Sequence, residues 1–67
     1  EGADQVRLAQ DAAYRFMSSM AGDRPGFEEA TRALFAGKRK RFDELVKAWP
    51  AGVREHTRRL AGRAFGA

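Results

Sequence analysis

Cysteine is absent from this 67-residue chain. Its absence excludes a disulfide framework, a thiolate nucleophile and a sulfur-ligated metal site, and it fits a reducing compartment, so the cytoplasm is the expected location. Histidine occurs once, as His56. One imidazole does not supply the three or four convergent ligands a metal needs, and the glycines are scattered singly instead of forming a phosphate-cradling loop. No metal and no cofactor is expected. No apolar run approaches the roughly 20 residues needed to span a bilayer. No charged n-region followed by an apolar h-region opens the chain. The expectation is a soluble protein with no membrane role.

Catalytic sets are equally scarce. Ser18, Ser19 and Thr57 are present as residue types without a spacing that pairs any of them with a base and an orienting third group. The acids fall at helical spacing from cations: Arg7 with Asp11, Asp11 with Arg15, Glu28 with Arg32, Asp43 with Lys47, and Glu55 with Arg59. Such pairs contribute a few tenths of a kcal/mol each and belong to solvated helix faces. His56 lies beside an apolar stripe, which reads as a boundary residue. The chain is expected not to be an enzyme.

What is present is helical periodicity. Val6, Ala9, Ala13, Phe16, Met17 and Met20 fall in one stripe when each residue advances 100°, with Asp4 as the expected N-cap and Gly22 as the stop. Asp23, Arg24, Pro25 and Gly26 predict a turn. Phe27, Ala30, Leu34 and Phe35 form a second stripe ended by Gly37, with Glu28 and Glu29 suited to its N-terminus. Phe42, Leu45, Val46 and Trp49 form a third, stopped by Pro50, because the residue before proline disfavours the helical region. Val53, Thr57, Leu60, Ala61 and Ala64 form a fourth, with Phe65 near a frayed end. No strand pattern competes, so the fold class is all-α: a small bundle of four short helices forming a single helical domain over residues 1–67. The chain opens on Glu1 without a methionine, which predicts a domain excised from a longer protein.

Charge is distributed unevenly. Residues 1–37 carry four Arg or Lys against six Asp or Glu, a balance of −2, whereas residues 38–67 carry nine against three, a balance of +6. The densest run is Lys38, Arg39, Lys40 and Arg41, placed where the third helix begins. Most helices carry acids there, because unpaired N–H groups and the macrodipole make that end positive. Successive residues ring the helix start instead of lining one side. On the fourth helix Arg54 and Arg58 flank the apolar stripe on one side, Arg59 and Arg63 on the other. If one flank faces the run, a basic patch of five or six charges results, and Lys38, Arg39, Lys40, Arg41, Arg54 and Arg58 are the candidate anion-binding residues. The plainer reading is a set of solubilising charges, since no base-reading motif or aromatic stacking platform accompanies them.

Leu8 and Tyr14 lie off the main stripe of the first helix, on opposite flanks. They close the edges of a wide buried face or contact a partner. The expected function is therefore a non-enzymatic helical module that packs against its own upstream region or a protein partner; the alternative is nucleic-acid or other polyanion binding through the basic patch.

The run from Asp11 to Asp23, with Tyr14, Phe16, Met17 and Met20, the run from Pro25 to Gly37, then Arg41-Phe42, Trp49-Pro50 and Arg59-Leu60-Ala61 together resemble an uncharacterised bacterial protein family, domain of unknown function 2239. The likeness covers Gln10 to Ala61. It implies a longer parent whose C-terminal helical part is this chain, and it brings no catalytic residue or ligand. The family pattern carries an acid where this sequence has Lys38. An Asp there would cap the third helix, so the resemblance makes the basic run a local variation.

Overall fold

A computed structural model describes residues 2–65 and contains four helices in the order α1 (Gly2–Ala21), α2 (Phe27–Ala36), α3 (Arg39–Val46) and α4 (Ala51–Ala64). The first two interruptions fall where the sequence places a breaker, whereas α3 ends at Val46, earlier than the expected stop at Pro50, so that Trp49 lies in the turn and not on the helix. α1 stops one residue before Gly22, α3 is separated from α4 by the turn leading to Pro50, and α2 closes on Gly37. Gly37 adopts a left-handed φ of 73°, which a side chain would strain. Its N–H donates to the Leu34 carbonyl, and the Lys38 N–H reaches back to the Ala33 carbonyl at 2.9 Å. This is a Schellman closure, and it satisfies two carbonyls that the end of α2 would otherwise leave bare.

α1 and α4 pack antiparallel. Phe16 meets His56 with ring centroids 4.4 Å apart, while Gln5, Leu8, Ala9 and Ala12, earlier in α1, face Leu60 and Arg63, later in α4. α2 and α3 form a second antiparallel pair that leans on α1 through α2. Two polar ties join the pairs. Trp49 Nε1 donates to the Pro25 carbonyl at 3.1 Å, pinning the α3–α4 turn to the α1–α2 turn, and Gln10 Nε2 reaches the Leu34 carbonyl at 3.5 Å. The Cα radius of gyration is 10.6 Å, against about 11 Å expected for a compact chain of this length.

The core is built from one large residue per contact and many alanines. Met17, Leu34, Phe42, Val46 and Trp49 are buried, with Ala13, Ala21, Ala30, Ala33, Ala61 and Ala64 between them. Small residues at these positions let the backbones approach, as close packing of short helices requires. Phe65 is not frayed away. It sets its ring edge-on to Phe42, 5.5 Å between centroids, and closes the α3–α4 end of the core.

Three expectations are corrected. Asp4 is not an N-cap: α1 is already helical at Gly2, so the carboxylate lies in its first turn, where the macrodipole favours it. Met20 and Phe35, although on their stripes, are 51% and 48% exposed. Met20 lies in the last turn of α1, in the open hollow it shares with Ser18, Ser19 and Gly22. Phe35 sits a residue past the centre of the α2 stripe and meets only the Tyr14 ring on the rim, at 6.1 Å.

Candidate functional site

The cation run at the start of α3 is divided by the helix it opens. Lys38 is the N-cap and makes no side-chain capping bond; its carbonyl accepts the Phe42 N–H at 2.9 Å. Lys38 and Arg41 turn toward α2, where they line a shallow hollow with Glu29, Arg32, Ala33 and Ala36. Arg39 turns the opposite way, toward α4, and its guanidinium lies 5.8 Å from the centroid of the Phe65 ring. Lys40, between them, is exposed to solvent. All four side chains are exposed, and none has a carboxylate within ion-pair distance among the described residues.

On the α4 side the groove is lined by Arg39 and Asp43 of α3 and by Glu55, Arg58, Arg59, Gly62 and Phe65. It is open and shallow, about 410 Å³ in volume. Three guanidinium groups from two helices converge there. Arg58 is partly neutralised, its Nε 3.5 Å from Asp43 Oδ1; Arg39 is held by the aromatic face; Arg59 has no acid partner among the described residues. Gly62 contributes no side chain to the floor, and a Cβ there would meet Arg39 Nη2 at ordinary contact distance, 4.0 Å.

The six residues named from sequence are therefore only partly assembled. Arg39 and Arg58 share the groove. Lys38 and Arg41 face away from it, and Arg54 turns back along the chain to donate to the Lys47 carbonyl at 3.4 Å. Three residues that the spacing did not single out join in: Arg32 beside Lys38 and Arg41, and Arg59 and Phe65 beside Arg39. Arg59 had been assigned to the flank of Arg63, but Arg63 lies instead in the α1–α4 groove. Asp43, expected to pair with Lys47 one turn on, reaches across to Arg58. Of the five helix-spaced pairs, Asp11–Arg15 forms, at 3.3 Å, among the described residues.

The second candidate surface is the groove between α1 and α4, lined by Gln5, Leu8, Ala9, Ala12, Leu60 and Arg63, about 430 Å³ in volume. Leu8 stands at its mouth, 67% exposed. It does not close an edge of the buried face: it lines the groove with Leu60 and Arg63 and stays largely in water. Tyr14 does close one: its ring sits 6.2 Å from Phe27 and 6.1 Å from Phe35, and it remains 36% exposed. His56 is exposed against Phe16, a boundary position. Among the described residues no three acids or imidazoles are grouped to hold a metal ion, and no helix is long and apolar enough to cross a membrane.

A family model described as an uncharacterized protein conserved in bacteria, DUF2239, matches residues 1–61. The chain belongs to that family. No curated protein and no solved structure matches it. The match takes in all of α1, α2 and α3 and most of α4, and so reaches nine residues further toward the N-terminus than the likeness read from Gln10 onward. Both grooves of the DUF2239 chain are built largely from matched positions; Gly62, Arg63 and Phe65 lie just past them.

Proposed function

We propose that this DUF2239 chain is a non-enzymatic docking module of the bacterial cytoplasm, which seats an amphipathic helix with an acidic flank in the groove between α1 and α4. The observation that carries this reading is Leu8, 67% exposed at the mouth of a groove floored by Ala9, Ala12 and Leu60. A leucine costs roughly 1.5 to 3 kcal/mol left in water relative to full burial. Ala9 and Ala12 are small, so a partner backbone can come close on the α1 side. Arg63 borders the same groove without an acid partner among the described residues, and it supplies the charge to which a carboxylate on the incoming helix would answer. The incoming helix comes either from the same polypeptide or from another one. Both sources present one chemistry.

Site-specific photocrosslinking in bacterial cells tests the proposal, with a photoreactive residue placed at position 8 and, as a control, at Glu44 on exposed α3. The expected products link position 8, and not position 44, to a segment with apolar residues three and four apart and an acid beside them, and Arg63→Glu abolishes them. Mass spectrometry of the linked peptides separates an intramolecular source from an intermolecular one. Equal labelling from positions 8 and 44, or linkage of position 8 to α1 of a second copy, would reject this occupant. Leu8→Gln is the companion variant, read with the photoreactive residue moved to position 5 on the same groove: because the Leu8 side chain is exposed, stability stays within about 0.5 kcal/mol while the crosslink from position 5 is lost.

A further inference from the structure

We infer that the groove between α3 and α4 is a binding site for single-stranded nucleic acid, with Arg39 as a stacking surface and Arg58 and Arg59 as phosphate contacts. It lies about a third of a turn round α4 from the docking groove and does not depend on it. Three observations meet there. The Arg39 guanidinium carbon lies 5.8 Å from the centroid of the Phe65 ring, within cation–π range, and the side chain is exposed to solvent. Phe65 is itself held edge-on by buried Phe42 at 5.5 Å, so the stack is anchored in the core. Arg59 projects beside it with no carboxylate partner among the described residues, and Gly62 leaves the floor between them free of a side chain.

A flat cation backed by an aromatic ring offers a surface on which an unpaired base stacks, and neighbouring guanidinium groups then meet the phosphates on either side. A duplex conceals its base faces and gains only the charge term. The acids in the groove set limits on this site. Asp43 is occupied by Arg58 at 3.5 Å and holds that guanidinium in place across the two helices. Glu55, exposed at the groove edge, opposes a phosphate. Lys40 next to Arg39, with Arg32, Lys38 and Arg41 on the α2 side, continues the positive surface around the start of α3, so that a strand leaving the groove passes over further cations.

The test is fluorescence anisotropy of a labelled oligothymidylate of about 12 nucleotides, a length within the usual range for one small binding surface, titrated with the 67-residue chain between about 50 and 200 mM salt. Two phosphate contacts predict a log affinity against log salt slope of about −1.4, at about −0.7 for each contact on a single strand. Arg59→Gln lowers the magnitude of the slope by about 0.7. Arg39→Gln removes the platform as well as a charge and weakens binding by about tenfold or more. Glu55→Gln, which touches no part of the core, tightens binding. Circular dichroism confirms that each of these exposed variants keeps its helices. Binding that fails to appear, that is as strong for a duplex of the same length, or that is indifferent to Arg39→Gln and Glu55→Gln would overturn the assignment.

Discussion

Replacing Thr57 by valine is expected to make the protein more stable. Thr57 is fully buried on α4, and its hydroxyl oxygen has no hydrogen-bond partner among the described residues. A buried hydroxyl without a partner costs about 1 to 3 kcal/mol by mutational measures, because water is lost and nothing replaces it. Valine has the same branched shape, exchanges the hydroxyl for a methyl, and has nearly the same helix propensity. The expected gain is about 1 to 2 kcal/mol. In a chain of this size, whose total stability is of the order of 3 to 10 kcal/mol, each kcal/mol moves the melting temperature by about 4 to 8 °C. Thr57→Ser supplies the opposite sign: it keeps the hydroxyl, removes the packed methyl and costs about 1 kcal/mol. Thermal melts of the three proteins by far-ultraviolet circular dichroism, checked by calorimetry, read both shifts. A lower melting temperature for Thr57→Val would show that the hydroxyl is satisfied in solution, the carbonyl one turn back on α4 being the nearest candidate, and would refute the reasoning.

Three further outcomes follow from named contacts. Lys38→Asp places a capping carboxylate at the N-cap of α3, which now has no side-chain cap and no acid in its first turn; a gain of about 1 kcal/mol in urea denaturation is expected, and an unchanged midpoint would count against the uncapped start. Gly37→Ala forces a side chain into φ 73° and disturbs the Schellman closure; it should cost about 1 to 2 kcal/mol, and a neutral result by the same measurement would mean that the turn relaxes. Leu34→Ala empties a fully buried position where α2 meets the core and is expected to cost about 2 to 5 kcal/mol, enough to leave the chain partly unfolded at 37 °C by circular dichroism; retention of a cooperative melt within about 1 kcal/mol of the parent would contradict the central role given to that side chain.

Much of the fold was legible because its signals are local. Periodicity of three and four identified all four helices, and Gly22, Gly37 and Pro50 marked ends that depend only on backbone conformation and a missing N–H. Burial followed less closely. A stripe gives the direction in which a helix faces a core but not the length over which a neighbour runs beside it. Met20 therefore ended in water, while Ala21 beside it was buried. Leu8 could be judged off-stripe, yet whether α4 reached far enough round to cover it was a matter of helix placement. The candidate sites were the least legible. Four consecutive cations announced themselves, but their division between α2 and α4, the turning away of Arg54, and the recruitment of Arg59 depend on how α3 lies between its neighbours. The stacking surface was missed because Phe65 reads as a terminal residue in sequence, with nothing to show that its ring would be fixed by Phe42, two helices' worth of chain earlier.

The order of the helices, the breaks at Gly22 and Gly37, the absence of thiol chemistry and the concentration of positive charge after Gly37 were settled by the amino-acid sequence alone, since each follows from properties of residues within a turn or two of one another. Tertiary structure decided which apolar side chains stay wet, that Asp43 answers Arg58 instead of Lys47, and that Arg39 lies on Phe65. Those outcomes require distant segments to be placed against each other, and the placement is fixed by the packing of Met17, Leu34, Phe42, Val46 and Trp49 among alanines, a joint property of all four helices that no single stretch contains.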